Sequence, residues 1–360
     1  MINVILIAAA VALLLAGCIT VRSVGRKPRG ARLEKVRQSA HWNGKRFENV
    51  HNTPTMTSDK GFWRGMKDFM SGGDTNRKPA VDVPTIKTDL FSLPADEDVV
   101  VWLGHSSLLI QTGRKRFLFD PILTCKFPVR MFMRPFMGSA VYSPYDIPPV
   151  DYLIITHNHW DHLDYPTIRA LKDKVGEVYC SLGIGQTFEY WKYDPARIHD
   201  MDWNETVQLA DGMTLHCLPA RHFSGRLTGI GKTFWGSYLI ENNGRKIFIS
   251  GDGGYDTHFK EIGKRFPGID LAIMENGQYN QDWRYIHTLP DELPQAIDDL
   301  APQKVLTYHN SKYSLARHSW TEPMDLIYER SQGKSWILLT PRIGEPVLPY
   351  KEQLFDTWWR

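Results

Sequence analysis

Short apolar runs separated by turn residues set the pattern of the chain from residue 98 onward. Val99-Val100-Val101-Trp102-Leu103 reads as a buried strand, Gly104-His105-Ser106-Ser107 as a turn, Leu108-Leu109-Ile110 as a second strand, and Phe117-Leu118-Phe119 as a third ending at Asp120-Pro121. Leu153-Ile154-Ile155 is another apolar run, followed by a polar stretch and a helix running roughly from Pro166 to Lys174 with Asp164 as its N-cap. Further strands are predicted at Val178-Tyr179-Cys180, Met213 to Leu218, Phe234 to Ile240, Lys246 to Ile249, Leu271 to Ile273 and Lys304 to Tyr308, and a helix over Asp291 to Leu300. Asn242-Asn243-Gly244 marks a hairpin between two of these strands. The alternation predicts a layered α/β domain over residues 98–345, preceded by an arm at 18–97 and followed by a short tail at 346–360 that ends in Trp358-Trp359-Arg360.

The arm is basic, then polar, with scattered Gly and Pro and little strand periodicity. Within it Phe62, Trp63, Met66, Phe69 and Met70 recur at helical spacing. That pattern fits a short helix packed on the main domain or an interfacial helix dipping into lipid headgroups. Composition adds little: 360 residues, 42% hydrophobic and 23% charged, are ordinary for a globular chain, and a net charge of +3 gives no ground to expect a nucleic-acid partner. Twelve Trp lean toward apolar or lipid-like ligands. Cys125 to Tyr142 mixes Phe127, Met131, Phe132, Met133, Phe136 and Met137 with Arg130 and Arg134. Such a stretch suits a phosphate-bearing apolar ligand, or the core or homodimer contacts of an ordinary loop.

Val4 to Leu15 is an apolar run too short to span a bilayer comfortably and right for the core of a secretory signal. It ends in Leu15-Ala16-Gly17-Cys18, which resembles the lipobox of bacterial lipoproteins; cleavage would leave Cys18 as the acylated first residue and residues 1–17 as the signal. Ile19, in place of Asp, favours the periplasmic face of the outer membrane over inner-membrane retention. Against this, no Lys or Arg precedes the run, and Arg22, Arg26, Lys27, Arg29 and Arg32 follow it, a distribution that favours a retained anchor with a cytoplasmic body. Cys125, Cys180 and Cys217 remain, an odd number with no Cys-x-x-Cys spacing, and read as small buried apolar residues.

The chemistry is concentrated in His157-Asn158-His159-Trp160-Asp161-His162, three imidazoles and a carboxylate directly after a strand. His157 and His159 are two apart, so in an extended segment both side chains leave the same side and can share one ion. Asp161 and His162, at the turn toward the helix, are placed for a second. His157, His222, Asp252 and His309 each stand at or just past the C-terminal end of a predicted strand, the edge where layered α/β proteins assemble their sites. His157, His159 and His222 would fill the shell of one ion, Asp161, His162 and His309 that of the other, with Asp252 bridging. Imidazole nitrogen with carboxylate oxygen suits two Zn²⁺, with Fe or Mn as alternatives. Two such ions about 3.5–4 Å apart would bring a shared water to a pKa near about 7, so hydrolysis would need no separate strong base.

This ligand pattern resembles the metallo-β-lactamase superfamily. With Trp102-Leu103-Gly104-His105, Asp120-Pro121, Trp235-Gly236-Ser237, Gly251-Asp252-Gly253-Gly254-Tyr255 and Glu261 to Phe266 it is similar to the branch containing N-acylphosphatidylethanolamine-hydrolysing phospholipase D, over roughly Asp98 to Arg342. The resemblance implies a four-layer αββα sandwich and metal-bound hydroxide attacking the phosphorus of a phosphodiester, with phosphatidic acid and an N-acylethanolamine as products. Two stretches depart from it. Met274-Glu275-Asn276-Gly277-Gln278-Tyr279 carries an acid where the phospholipase is apolar, and His309-Asn310-Ser311 replaces its His-Trp-Gly turn, which puts the substrate in question. His287 resembles a family position near the leaving group and could donate a proton.

Asp161, Asp120 and His287 are the catalytic candidates, with Asp120 either orienting a ligand imidazole or water, or capping the turn before Pro121. His105 is a supporting or a plain buried histidine, Glu275 contacts a substrate amine or caps a turn, and Tyr279 lies in the same neighbourhood. The rival readings are a lactonase, β-lactamase or nuclease on the same scaffold, and a non-catalytic metal-binding envelope protein. If Cys18 is acylated, radioactive fatty acid fed to cells should label the chain and the Cys18→Ala variant should lose the label; undiminished labelling of the variant would remove the lipoprotein reading.

Overall fold

The computed structural model describes residues 21–58, 76–124, 130 and 133–360. The lipobox-like run with Cys18, the helical pattern from Phe62 to Met70, and Cys125, Phe127, Met131 and Phe132 lie outside the described residues. Among these, fourteen strands run β1 Val99–Gly104, β2 Ser107–Thr112, β3 Lys115–Phe119, β4 Val150–Ile155, β5 Val175–Ser181, β6 Ile198–Met201, β7 Thr206–Gln208, β8 Thr214–Leu218, β9 Ser237–Asn242, β10 Arg245–Ile249, β11 Leu271–Glu275, β12 Lys304–Tyr308, β13 Ile337–Leu339 and β14 Pro346–Val347. The α-helices among the described residues are α1 Gly30–Gln38, α2 Tyr165–Leu171, α3 Gly185–Tyr190, α4 His258–Arg265, α5 Leu293–Leu300 and α6 Glu322–Arg330.

The strands form two seven-stranded sheets, in the orders β14-β1-β2-β3-β4-β5-β6 and β13-β12-β11-β10-β9-β8-β7. In both, a run of antiparallel strands gives way to parallel ones, at β3–β4 in the first sheet and β10–β11 in the second. The near-continuous apolar strands of the sequence arise because both faces of each sheet are covered. Alternate residues segregate: Val100, Trp102, Leu108, Ile110, Phe117, Phe119 and Ile154 face the core between the sheets, where Leu271 and Ile273 meet them from the other side. Val101, Leu103, Leu109, Leu118, Leu153 and Ile155 face outward onto Ile168 and Leu171 of α2 and Phe188 of α3. On the second sheet Ala272 and Met274 face Phe259 and Ile262 of α4, Leu293 and Ile297 of α5 and Ile327 of α6. The result is the four-layer αββα sandwich that the resemblance implies.

The hairpin joining β9 to β10 is the local feature the sequence specified most tightly. Asn243 and Gly244 sit at φ 51° and 81°, the pair of positive values a type I′ turn demands, and Asn242 pairs with Arg245 across it. Asp164 caps α2, accepting from Thr167 N, with Pro166 in the first turn.

Both ends of the chain differ from the sequence expectation. The described part of the arm is docked: Val36 of α1, Phe47, Val83 and Leu90 are buried, the Phe47 ring stacks on Phe234 at 4.4 Å, and Arg32 pairs with Glu189 at 2.6 Å and with Asp200. These contacts are with residues far along the chain and leave no periodic trace in the segment itself. The tail at 346–360 belongs to the sandwich too. β14 adds an edge strand to β1 through Val100↔Val347 and Val101↔Pro346, and Trp358 and Trp359 are 8% and 4% exposed. A two-residue strand is too short to show alternation, so the boundary placed at 345 was invisible in the pattern. If the terminus is part of the core, Trp358→Ala should lower the unfolding free energy by about 3 kcal/mol in denaturant melts. Leu354→Ala, at a fully exposed position (101%), should change it by less than ~0.5 kcal/mol, and equal effects would contradict the docking.

Candidate metal centre

Both sheets present their C-terminal strand edges to one place. β4 ends at Ile155 and releases the loop of His157, His159, Asp161 and His162 before α2 begins; β8, β10 and β12 end just before His222, Asp252 and His309. His309 takes φ 68°, a left-handed turn that ends its strand. The His157 Nε2, His159 Nδ1 and His222 Nε2 atoms converge, with 2.9 Å between the first two and 3.2 Å between the last two. Beside them His162 Nε2 lies 3.1 Å from His309 Nε2, which is 3.3 Å from Asp161 Oδ2. Asp252 stands between the groups: Oδ2 is 3.2 Å from His162 Nε2 and 3.9 Å from both His157 Nε2 and His222 Nε2, and Oδ1 is 3.3 Å from His309 Nε2. All seven side chains expected from the sequence therefore meet.

Hydrogen bonds behind the rings fix which nitrogen points inward. His222 Nδ1 is 2.7 Å from the Ile286 carbonyl, which can only accept, so Nδ1 carries the proton and Nε2 presents a lone pair. His162 Nδ1 donates to Asp120 Oδ2 at 2.8 Å. Thr156 Oγ1 donates to the same oxygen at 2.6 Å, so toward His157 Nδ1, 3.0 Å away, it can only accept, and the His157 proton also lies on Nδ1. Asp120 receives the Thr156 amide as well, at 2.9 Å. Burial pushes the Asp120 carboxyl up, and His162 and the two Thr156 donors pull against that shift. Asp120 thus orients His162 directly and His157 through Thr156, the arrangement that ligand imidazoles require. Its alternative role, capping the turn before Pro121, is not what these bonds describe.

Neutral imidazoles so turned bring lone pairs face to face with too few protons between them. Asp252 Oδ1 is buried without a hydrogen-bond partner among the described residues. Divalent ions would satisfy this donor set, and imidazole nitrogen plus carboxylate oxygen is the chemistry such ions take. Without an ion the electrostatics divide: at His162 burial opposes a charge, but Asp252 and Asp120 outweigh it and hold the imidazole well above the usual histidine range, a proton that a bound cation would replace. Burial holds the His157 and His222 imidazoles well below the usual histidine range, the neighbouring rings adding to it, and takes His159 down to about 4. At Asp252 burial opposes the charge, but His162 and His309 outweigh it and hold the carboxyl well below its usual value.

Three supporting residues are placed. His105 Nε2 lies 3.0 Å from Asp161 Oδ2, and burial lowers this imidazole to about 3, His309 adding to the effect. Glu275, buried at the end of β11, accepts from Gly253 N at 3.2 Å and Thr288 N at 3.3 Å and contacts His287 Nδ1. Burial works against a charge on His287, but the Glu275 carboxylate overrides it and raises the imidazole above its ordinary value. The His287 ring lies 5.3 Å from His222 and 5.7 Å from His309, at the margin of the cluster. Tyr279 is engaged elsewhere: its hydroxyl bonds Glu322 Oε1 at 2.7 Å and its ring stacks on His318 at 4.6 Å.

Sequence reasoning missed Thr156 and Arg226. Arg226 is buried, donates to the carbonyls of Asn158 at 2.5 Å, His159 at 3.0 Å and Leu163, and lies over the Trp160 ring at 4.2 Å, so it clamps the ligand loop from beneath. A Thr beside a His and an Arg in a polar loop carry no spacing signal.

Comparison with known proteins gives the same frame. The model of the β-lactamase superfamily domain matches residues 115–310. An uncharacterized Mycobacterium tuberculosis protein is 29% identical over 371 residues, 98% of each chain. The N-acyl-phosphatidylethanolamine-hydrolyzing phospholipase D 1 of Caenorhabditis elegans is 24% identical over 268 residues, 68% of this chain and 74% of that one. The Klebsiella pneumoniae outer membrane protein RomA is 55% identical over 103 residues, 29% of this chain and 78% of RomA. Among solved structures, the metallo-hydrolase Igni18 of Ignicoccus hospitalis (TM-score 0.54, 17% identity, 69% of this chain and 97% of that) and the diiron β-hydroxylase CmlA of Streptomyces venezuelae (0.54, 18%, 70% and 54%) share the fold. The lone pairs turned inward from two sheets and the family match lead to one conclusion: this chain belongs to the metallo-β-lactamase superfamily as a metal-dependent hydrolase, and within it resembles the N-acylphosphatidylethanolamine-hydrolysing phospholipase D branch.

Proposed function

We propose that the chain is a membrane-tethered dinuclear zinc hydrolase that cleaves a phosphodiester, N-acylphosphatidylethanolamine or a related phospholipid, in the manner of a phospholipase D. The observation that carries this reading is the pair of donor groups on either side of Asp252, one from His157, His159 and His222 and one from Asp161, His162 and His309. The similarity to the nematode phospholipase supports the substrate class, and the RomA match supports an envelope location. Zinc is the ion this donor set suits, with iron, as in CmlA, and manganese as alternatives.

Bound there, two divalent cations supply Lewis-acid stabilisation of a phosphoryl oxygen and a water acidic enough to act as nucleophile near neutral pH. The protein's share is orientation and protons. Asp120 and Thr156 keep the His162 and His157 nitrogens turned inward, and His105 steadies Asp161. Cleavage of the phosphorus–oxygen bond leaves an alkoxide on the ethanolamine side, which must gain a proton to depart as an alcohol. His287, backed by Glu275 on Nδ1, presents Nε2 for that transfer. Glu275 is thus a positioning residue for the leaving-group acid.

Asp252→Ala should cut hydrolysis of a phosphodiester by more than about a hundredfold, since loss of mere outer-shell partners already costs 10–100-fold. Elemental analysis of the same variant should show fewer than two ions per chain. Activity that survives the substitution would favour the envelope-scaffold reading, and turnover of a lactone with none of any phosphodiester would replace the substrate. His287→Ala and Glu275→Gln should slow release of an ethanolamine alcohol by about 10²-fold or more. With a nitrophenolate leaving group, which needs no proton, both variants should approach the parent; an equal loss on both substrates would refute the acid role.

A further inference from the structure

A second site lies beside the metal centre, between the N-terminal segment 21–29 and the loop 225–233. It is a cavity of about 410 Å³. Five cations line it, Arg26, Lys27, Arg29, Lys232 and Arg226, the last bonded to backbone carbonyls, and no carboxylate does. The acids of the neighbouring elements are already engaged: Glu189 and Asp200 are both bound by Arg32. Among the described residues Arg26 lies over the Tyr190 ring at 4.4 Å and Lys232 reaches the Lys45 carbonyl, while Lys27 and Arg29 form no ion pair. Cations converging on a concave wall without counter-charge repel one another, and an anion relieves that repulsion.

Aliphatic side chains stand in water at Val21 in the lining and at Leu227 and Ile230, which flank the lining residues Arg226 and Gly229 in the loop. Val21, Leu227 and Ile230 are 59%, 63% and 58% exposed. Leu227 does so at φ 47°, a backbone conformation that a branched side chain rarely adopts, so the chain holds an apolar residue outward in a strained turn. Exposed aliphatics beside cations that have no carboxylate partner match the boundary between phospholipid headgroups and acyl chains. The apolar run of the N-terminus ends at Leu15, six residues before Val21, a reach of about 20 Å when extended.

We infer that this cavity docks on a bilayer carrying anionic phospholipid, taking a headgroup phosphate among Arg26, Lys27, Arg29 and Lys232 while Val21, Leu227 and Ile230 enter the acyl boundary. Arg226 forms a wall shared by the two sites: Nη1 bonds the Ser23 carbonyl on the cavity side, and its remaining nitrogens bond the carbonyls of Asn158, His159 and Leu163 in the ligand loop. Docking therefore sets the ligand loop against the membrane surface. The inference deepens the membrane-bound phospholipase reading and rests on it only for the purpose of the docking, not for its existence.

The test uses the full chain with Ile230→Cys carrying a polarity-sensitive fluorophore, the parent chain taken through the same labelling as blank, added to preformed vesicles. Phosphatidylcholine with 30 mol% phosphatidylglycerol should shift the emission to the blue and raise it several-fold, and phosphatidylcholine alone should not. The double variants Lys27→Glu/Arg29→Glu and, as a milder pair, Lys27→Gln/Arg29→Gln should weaken the response by roughly tenfold or more, with metal content and hydrolysis of a soluble phosphodiester unchanged. Emission that is the same in both vesicle types, or that survives charge reversal, overturns the proposal. So does protection of the 25–29 amides from hydrogen exchange by inorganic phosphate when vesicles leave the emission unaltered, which would assign the cavity to a free phosphate. Fluorescence does not depend on turnover, so a chain that docks but hydrolyses no phospholipid, and one that hydrolyses it without docking, are told apart.

Discussion

Asp120 is the carboxylate on which the centre depends. Alone in the interior it would be unstable as an anion, and three donors make it tenable: the Thr156 amide, the Thr156 hydroxyl and His162 Nδ1. What it returns is direction. By holding protons on the outer nitrogens of His162 and, through Thr156, of His157, it leaves the inner nitrogens bare, and bare nitrogens packed about 3 Å apart are unfavourable without a cation among them. Polarity in the centre of a well-packed sandwich is therefore organised so that a metal resolves the conflict that the fold creates.

How much of this could be read from sequence follows from how local each signal is. His157 to His162 announced itself because four donors fall in one loop after a strand, and His222, Asp252 and His309 because each follows an apolar run. The Asn243-Gly244 turn was legible for the same reason, a short-range demand on φ. Thr156 and Arg226 were not, since their importance lies in what they touch: an Asp 36 residues earlier and carbonyls 63–68 residues earlier. The ends of the chain failed likewise. Val36 and Phe47 are lone apolar residues in polar surroundings and Trp358-Trp359 a lone pair at the terminus, and only the tertiary partner shows that each is core.

Glu275 separates this chain from the phospholipases it resembles. A buried acid where that branch is apolar is costly unless its oxygens are engaged, and here they hold Gly253 N, Thr288 N and His287. Two of these contacts brace the backbone around Asp252 and around the 287–288 turn, and the third sets the charge of an imidazole at the margin of the site. These bonds leave the His/Asp cluster intact and act on the charge of His287 at its margin.

The ligands are divided between the sheets in a way that matters for folding as well as chemistry. His157, His159, Asp161 and His162 leave the end of β4 in one sheet, whereas His222, Asp252 and His309 follow strands of the other. Each ion would take donors from both, so metal binding would add a cross-link to the hydrogen bonds that already join the halves at that edge, such as His309 N to the His105 carbonyl at 3.1 Å and Arg226 to the carbonyls of Asn158 and His159. Ions that bound the assembled sandwich and not the separated halves would add their binding free energy to the cohesion of the two sheets. Removing them restores the repulsion among the inward-facing nitrogens at the same edge, and the opening this favours would widen the mouth where the His157–Leu163 loop rests on Arg226.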